Sequence, residues 1–599
     1  SDNVLSESTT LYNIMDPDGP QVNIMADGSN QYLQSGLDEA LLDRSRLFVT
    51  PVKKVTTSYE NGTGLSLEQQ FTAYDSHGNL LTYKNLGDTY ASYSGQDAYR
   101  TEIEYHPDTY IPFIYNTYGF VKKVQVFKAN GNELLRQREA EYNNYGKLTQ
   151  VKTLLNDLGE YNTVGLGYEN NYGNLINFTD DTGFVTNISY DSNLETYPVS
   201  ITNSFGESSS TDYNYWFGVP VLVTDMNGEQ MRTRIDNRGR IVEVTSQKEL
   251  PTSGWTLRMQ YEGEDEVPIA LNGSTYMVLA NGSFEAVNVG DSQPTEASHW
   301  AVTHHNVDQA IGNQLLTMSL VDGFGKAIQL KKTQYVNQGG SNQIGWLVSG
   351  REKRDAFGRV TQAYLPTFHL GYPSNPDNIS ATGNVFDFEP SANAIAPTVT
   401  TYDVRDRTTS IKQPGETQMA TTSYDIADGM FLTTITNELA QTFETYTDII
   451  GRQRKTVQNG SLTTEFFYNS IGEKIRVKNQ QGYETFYKYD LAGRRIEERH
   501  PDHGLQTFHY DTSGNLLKRV TSNLLIDSPG EAITYSYDYR RLKEIVYPQN
   551  PENNVYYTYG EVGNTDAEDR NAIGRLYIQQ DASGVQGFGY DELGNLNRN

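Results

Sequence analysis

Four glycines near the C-terminal end, Gly451, Gly472, Gly493 and Gly514, are spaced 21 residues apart, and each follows an Asp or Asn by three positions: Asp448, Asn469, Asp490 and Asp511. A second set, Gly460, Gly482 and Gly504, falls about halfway between them at separations of 22. A fixed period of this length marks a repeat architecture. Each unit is a pair of segments of roughly ten residues, each closed by a turn. Ahead of the first turn stand Phe466-Phe467-Tyr468, Tyr487-Lys488-Tyr489 and Phe508-His509-Tyr510, which place aromatics at i and i+2. That period belongs to a strand, because successive strand side chains point to opposite faces. The Asp or Asn can accept hydrogen bonds from the turn's own N–H groups, and Gly supplies the positive φ that a short hairpin turn needs. The unit reads as a β-hairpin.

The same corner recurs along the chain: Asp75 with Gly78, Tyr142 with Gly146, Tyr168 with Gly173, Asp236 with Gly239, Asp355 with Gly358, Tyr402 with Asp403, then Gly574, and Asp591 with Gly594. No stretch of a dozen residues sustains a 3.6-residue period, so the expected class is all-β with very little helix. Hairpins filling the 599 residues would make on the order of fifty strands, each roughly 30 Å long and about 4.8 Å from the next. Twist prevents a sheet of that extent from staying flat, so it must coil. Barrels of 16 to 18 strands already leave an aqueous lumen. The expected architecture is therefore a long spiralling antiparallel sheet that forms a hollow shell.

Charge and residue usage narrow the function classes. With 75 Asp and Glu against 47 Lys and Arg, the formal net charge is −28, which opposes binding to nucleic acid and to anionic membranes. The apolar surface is mostly aromatic, 43 Tyr and 22 Phe, as suits sheets wetted on at least one face. No apolar run is long enough for a membrane-spanning helix, and the opening SDNVLSESTTLYNIMDPDG lacks the layout of a signal peptide. The chain opens without Met, as a processed or excised fragment does. Zero cysteines exclude disulfides, zinc–thiolate sites and Cys nucleophiles.

Four segments are expected. Residues 1–50 are a lead-in that caps the first strand edge, and 51–250 are repeat shell. In 251–345 the corner motif lapses into a long hairpin excursion and a flexible loop, YVNQGGSNQIGW. Shell resumes over 346–599, interrupted by a loop at 375–397.

Candidate sites are few. His304 and His305, with Asp308 three residues on, are adjacent on a strand and so point apart, which argues against a shared metal. His500, His503 and His509 occupy repeat positions held elsewhere by Gln or Lys. The acidic turns at Asp16, Asp18 and Gly19 and at Asp225, Asn227, Gly228 and Glu229 suggest calcium but lack the twelve-residue loop with its closing Glu. Glu262 to Pro268 reads as a solvated loop. Neither a Gly-x-Ser-x-Gly elbow, a phosphate loop nor an HExxH motif is present. The expectation is a protein that is not an enzyme, with no catalytic residue, cofactor or metal site. The aromatic stripe reads as a cross-strand ladder that pins register.

Tyr489-Asp490-Leu-Ala-Gly493-Arg494 and Tyr510-Asp511-Thr-Ser-Gly514-Asn515-Leu516 resemble the YD repeats of bacterial Rhs proteins, which also occur in B and C components of insecticidal toxin complexes and, more distantly, in teneurins. His304 to Lys332 resembles the segment around an Asp-Gly-x-Gly-Arg motif there, with Lys326 in place of Arg, and Trp346 to Pro366 is similar to the segment that follows. The resemblance covers about 50–599. It implies a secreted or surface-displayed cocoon wrapping a C-terminal passenger in cis, often a toxin, handed on by secretion or delivery machinery. It also implies a core segment with an Asp-Pro self-cleavage motif beyond Asn599. Two other functions are compatible with the repeats: a cell-surface adhesion or carbohydrate-binding module, and a carbohydrate-active β-solenoid enzyme.

Overall fold

The computed structural model describes residues 6–15, 22–24, 48–88, 98–107, 119–169, 171–252, 254–261, 270–271, 274–278, 284–288, 299–306, 315–321, 327–338, 341–350, 352–370 and 396–598. Among the described residues strands dominate, joined by two short α-helices, Ser522–Asp527 and Thr565–Glu568. Almost all belong to two sheets, of 23 and 19 strands. All the ladders are antiparallel, and nearly every strand pairs with its neighbours in sequence.

Most strands are shorter than ten residues, although Phe48–Glu60, Thr63–Tyr74 and Ala327–Gln338 are longer. Lys474–Asn479, Glu484–Tyr489 and Arg495–His500 have six each and Gly504–Tyr510 has seven. The remainder of each 21-residue unit goes into its two turns. At six residues the wall is about 20 Å tall per coil rather than roughly 30 Å.

Ser6–Met15 adds an edge strand to Phe48–Glu60, with Val22–Ile24 outside it. The excursion carries a separate three-stranded sheet, Ala270–Leu271, Ser274–Val278 and Phe284–Asn288, while the main ladder passes from Leu257–Tyr261 to His299–His305. The YVNQGGSNQIGW segment is not a loop. Ala327–Gln338 and Ser341–Ser349 pair continuously out to Gln338 opposite Ser341. The Gly339-Gly340 pair is a hairpin-tip signal, and the residues flanking it remain in the ladder. The loop expected at 375–397 lies outside the described residues except at its end.

The second sheet begins at Glu352–Arg354, close behind the last long strand of the first, Ser341–Ser349. It then lies along the first with a nearly constant offset. Arg405 meets Glu60, Arg136 meets Glu473, Asn162 meets Thr512, Arg540 meets Asp180 and Asn227 meets Ile573, at separations of 345, 337, 350, 360 and 346 residues. A ladder that leaves residue 60 and returns beside it some 345 residues later has completed a circuit. With 23 strands spaced about 4.8 Å apart, that circuit is about 110 Å long, or roughly 35 Å across. Side chains cannot fill such a width from opposite walls.

Burial agrees with a single wetted wall. In Tyr161–Tyr168 every residue is half-buried, on both faces. Filled sandwiches alternate buried with exposed positions instead. Among the described residues, Val302, Leu316, Met318, Leu320 and Val348 are buried on neighbouring strands together with Gln329, Lys331 and Thr333, and Ala567, Ala572, Ile573 and Tyr577 pack as an apolar cluster.

Positive φ is concentrated at the corners. Gly514 sits at φ 95 with nothing within 4 Å of an added Cβ, so only backbone strain opposes a side chain there. Gly514→Ala is expected to cost about 1 kcal/mol, measured by urea denaturation. Where the corner Gly is replaced by Asp406, that residue still adopts φ 61.

Candidate functional site

The repeated corner is the chemical unit of the fold. In each, the N–H of the capping residue donates to the carbonyl four positions on, and the Gly N–H donates back to the cap's carbonyl, as in Asp490 with Arg494 and Gly493 at 3.0 and 3.1 Å. The Asp490 Oδ1 accepts from the N–H groups of Ala492 and Arg494, both at 2.9 Å, while Oδ2 accepts from Arg494 Nε at 2.6 Å. The structure places all the sequence-selected caps in this arrangement. Asp236, Asp355 and Asp448 hold Arg240, Arg359 and Arg452, whereas Asp75, Asp511 and Asp591 hold Asn79, Asn515 and Asn595. Asn469 reverses the roles, donating from Nδ2 to Glu473. Gly78, Gly239, Gly358, Gly451, Gly472, Gly493 and Gly594 all have positive φ.

Sequence reasoning missed how one corner is tied to the next. The Tyr before each cap is more than a ladder aromatic: the hydroxyls of Tyr468, Tyr489 and Tyr510 donate to the carbonyls of Gln453, Lys474 and Arg495, 2.9, 2.8 and 3.0 Å away. Each acceptor lies two residues past the preceding corner's Gly. The capped Arg completes the link by lying over the next Tyr ring, Arg452 over Tyr468 at 5.3 Å, Arg494 over Tyr510 at 5.1 Å and Arg407 over Tyr424 at 3.8 Å. Recurrence of Arg four positions after the cap was the available signal. Tyr489→Phe is expected to cost about 1 kcal/mol by leaving the Lys474 carbonyl short of its donor, seen as faster amide exchange across the 474–489 hairpin.

The capping carboxyls of Asp236, Asp355, Asp403 and Asp591 are held below their ordinary range. At Asp355 the Arg359 side chain is the largest cause, opposed by burial and reinforced by two N–H groups. At Asp191 burial pushes upward, but N–H donors from Tyr197, Leu194, Thr196 and Asn193 outweigh it and bring the carboxyl down to about 2. A carboxyl with a depressed folded pKa binds its proton less readily folded than unfolded, so its contribution is full above the unfolded value and is lost as pH falls through the folded one. Stability is expected to hold down to about pH 4 and fall steeply towards about pH 2. An acid titration followed by far-UV circular dichroism reads this directly.

The other motifs do not assemble. His304 is buried with its ring edge-on to Trp255, and His305 Nε2 lies 3.1 Å from Thr317 Oγ1. Burial first, then Lys332 and His304, holds the His305 pKa down. Asp308 lies outside the described residues, as do Asp16, Asp18, Gly19 and Glu262 to Pro268. His500 and His503 stack at 4.2 Å, while His509 is exposed on the strand Gly504–Tyr510. Asp225 is an ordinary cap, its Oδ1 accepting from Asn227 and Glu229 N–H. Among the described residues no group of three His, Asp or Glu converges as metal ligands, and no helix is long and apolar enough to cross a membrane.

What the corners assemble is a seam between coils. The turns along one rim of the first coil, among them the corners capped by Asp180, Asn203 and Asp225, receive the corners of the second. Arg405 and Arg407 both bond Glu60, Arg540 bonds Asp180 and Arg541 bonds Glu207, and these three carboxylates are buried. Leu491 N–H donates to the Leu155 carbonyl, and Tyr539 packs edge-on against Phe184 and Phe205. The two large sheets share no ladder among the described residues, so the coils are joined by side chains and turn tips. A cleft of about 960 Å³ opens along the seam beside Arg136 and Glu473, lined by Tyr468, Tyr487 and Tyr489.

No family model matches the sequence, and no curated protein matches it. Solved structures match its fold. A TcdB2-TccC3-TEV crystal structure superposes on 92% of this chain with a TM-score of 0.69 at 14% identity. A Photorhabdus luminescens Tc holotoxin pore with a mutation in TccC3 gives 0.68 over 92% at 13% identity, and a TcdB2-TccC3-Cdc42 structure gives 0.65 over 92% at 13%. This chain spans 35% of the length of the first two and 38% of the third. At such identities the likeness is one of fold, the spiralling Rhs-type shell.

Proposed function

We propose that the chain is part of the wall of an Rhs/YD-repeat shell that encloses a C-terminal passenger, most simply a toxin, and carries it to the outside of the producing cell. The wall performs no chemical step of its own. The observation that carries this reading is the closed circuit: a sheet that returns beside itself after some 345 residues, half-wetted on both faces, bounds a volume instead of filling it. Support comes from the fold shared with Tc holotoxin structures. A tyrosine-rich, polar wall suits a guest that must be held without strong hydrophobic traps and later let go. A net charge of −28 keeps such a wall soluble.

The test is to express the complete reading frame and digest it with proteinase K, following the passenger with an antibody. An attached passenger should survive at least tenfold longer than the same polypeptide expressed alone, with density inside the shell in electron micrographs. Equal digestion rates, or an empty lumen, would sink the proposal.

A further inference from the structure

One contact recurs from corner to corner, and at one place it is missing. Wherever Arg stands four positions after the cap, at Arg240, Arg359, Arg407, Arg452 and Arg494, its guanidinium lies over the ring of the next Tyr, 4.4, 5.2, 3.8, 5.3 and 5.1 Å from the centre. Arg359 and Arg494 also donate from Nη1 to the carbonyl of the following cap, Asp403 and Asp511. The corner capped by Asn469 has Glu473 in that position instead. Arg136 of the first coil takes over the hydrogen bond, its Nη1 donating to the Asp490 carbonyl and its Nη2 to Glu473. It does not take over the ring. Arg136 Nη2 lies 2.8 Å from where a Cβ on Gly493 would stand, at the tip of the neighbouring corner. Among the described residues the cation contacts on either side fall on Tyr468, Tyr487 and Tyr510, and none falls on Tyr489.

The seam cleft opens where that arginine is absent. Tyr489 lines it, and Asp157 of the first coil lines it from across the seam. The other charges of the cleft are matched: Lys128 with Glu133, Arg136 with Glu473, Lys488 with Glu497 and Asp490 with Arg494. An anion therefore finds no free cation there. A cation finds the bare ring of Tyr489 and, in Asp157, a carboxylate that none of these pairs uses. The volume, about 960 Å³, stands at the upper end of the range of about 300–1,000 Å³ usual for ligand pockets, far more than one side chain fills. Leu134, Ile475 and Ile496 give the remaining wall an apolar character that suits the body of a peptide.

We propose that the seam cleft binds an arginine-bearing segment of a polypeptide partner, whose guanidinium lies over Tyr489 in the place that a corner arginine occupies elsewhere, with Asp157 as its counter-charge. Arginine is favoured over lysine because the wall itself covers the equivalent ring with a guanidinium at five corners, and because a flat guanidinium stacks on a ring while its edge still donates. The net charge of −28 draws a basic segment towards the wall. One coil supplies Asp157 and the other Tyr489, so the site is complete only when the coils are stacked. The proposal does not depend on what the shell encloses.

Fluorescence anisotropy of a labelled Gly-Ala-Arg-Ala-Gly peptide, capped at both ends and titrated with the chain, is expected to saturate. The lysine peptide should bind about threefold more weakly, and the citrulline peptide, which keeps the shape and loses the charge, at least about tenfold more weakly. Asp157→Asn should weaken the arginine peptide about threefold with circular dichroism unchanged, because Asp157 is an exposed turn residue. Tyr489→Phe and Tyr489→Leu both lose the hydroxyl bond to the Lys474 carbonyl, so the difference between them reports the ring. Phe should bind nearly as the native chain does, and Leu at least about tenfold more weakly. A benzophenone beside the arginine should cross-link within 128–136, 155–158, 468–475 or 487–496. Equal binding of the citrulline peptide overturns the proposal, as do cross-links confined to other segments or no binding at about 1 mM chain. Free arginine amide binding as tightly as the peptide also overturns it, since the site would then serve a small cation and not a polypeptide.

Discussion

Asp448→Ala is expected to destabilise the protein by about 3–5 kcal/mol, the largest loss of any single corner. Its carboxylate is fully buried, with Oδ1 accepting from Arg452 N–H and Oδ2 from both Arg452 Nε and Arg454 Nε, all at 2.8 Å. Arg454 is itself buried, and both guanidinium groups lie over Tyr468, at 5.3 and 5.2 Å. Removing the acid leaves two cations in low dielectric without their counter-charge, which costs far more than the pair contributed by forming. At the exposed corner, Asp591→Ala loses only turn hydrogen bonds and should cost about 1 kcal/mol. Repeat arrays do not unfold as one unit, so the proper reading combines urea denaturation with amide exchange resolved to the 440–475 hairpins. A loss at Asp448 no larger than that at Asp591 would show that water, and not the protein, satisfies those guanidinium groups.

That contrast marks where the sequence was legible. Period and residue type at 448–451, 469–472, 490–493 and 511–514 report local backbone geometry, and the spiralling all-β class follows from them because neighbouring hairpins have nowhere else to pair. Glycine spacing alone overestimates strand length in the repeat units, because the corner consumes residues that the spacing assigns to strands. Tyr335 to Trp346 reads in sequence as a loop because polar residues around a Gly-Gly pair mark a hairpin tip and a flexible loop equally well. The seam was invisible for a different reason. Which carboxylate a given Arg meets 345 residues away depends on the circumference of the coil, and that is set by the accumulated twist of some two dozen strands, none of which encodes it alone. Glu60, Asp180 and Glu207 therefore look in sequence like any other surface acids.

Glu60→Ala tests the seam itself and should act differently from Asp448→Ala. Glu60 is buried and accepts from Arg405 Nη1 at 2.8 Å and from Arg407 Nη1 and Nη2 at 2.8 and 3.0 Å. Arg407 in turn holds Asp403 and lies 3.8 Å from the centre of the Tyr424 ring, so one carboxylate of the first coil anchors a whole corner of the second. The two arginine side chains keep 21% and 29% exposure, so water recovers part of the loss and the expected cost is about 2–3 kcal/mol. Its signature is location. Amide exchange should quicken at 59–63 and 403–407 while the ladders on either side stay protected, since among the described residues no strand ladder crosses the seam to be broken. A double-mutant cycle of Glu60→Ala with Arg405→Ala should give a coupling above about 1 kcal/mol. Coupling near zero would mean that the coils are held by tip packing, with Tyr539 between Phe184 and Phe205 the next place to cut. Strong coupling would mean that buried charge sets the register of one coil on the next. The circumference of the shell would then be fixed by where the acids meet their arginines, and not by the hairpins that make up its wall.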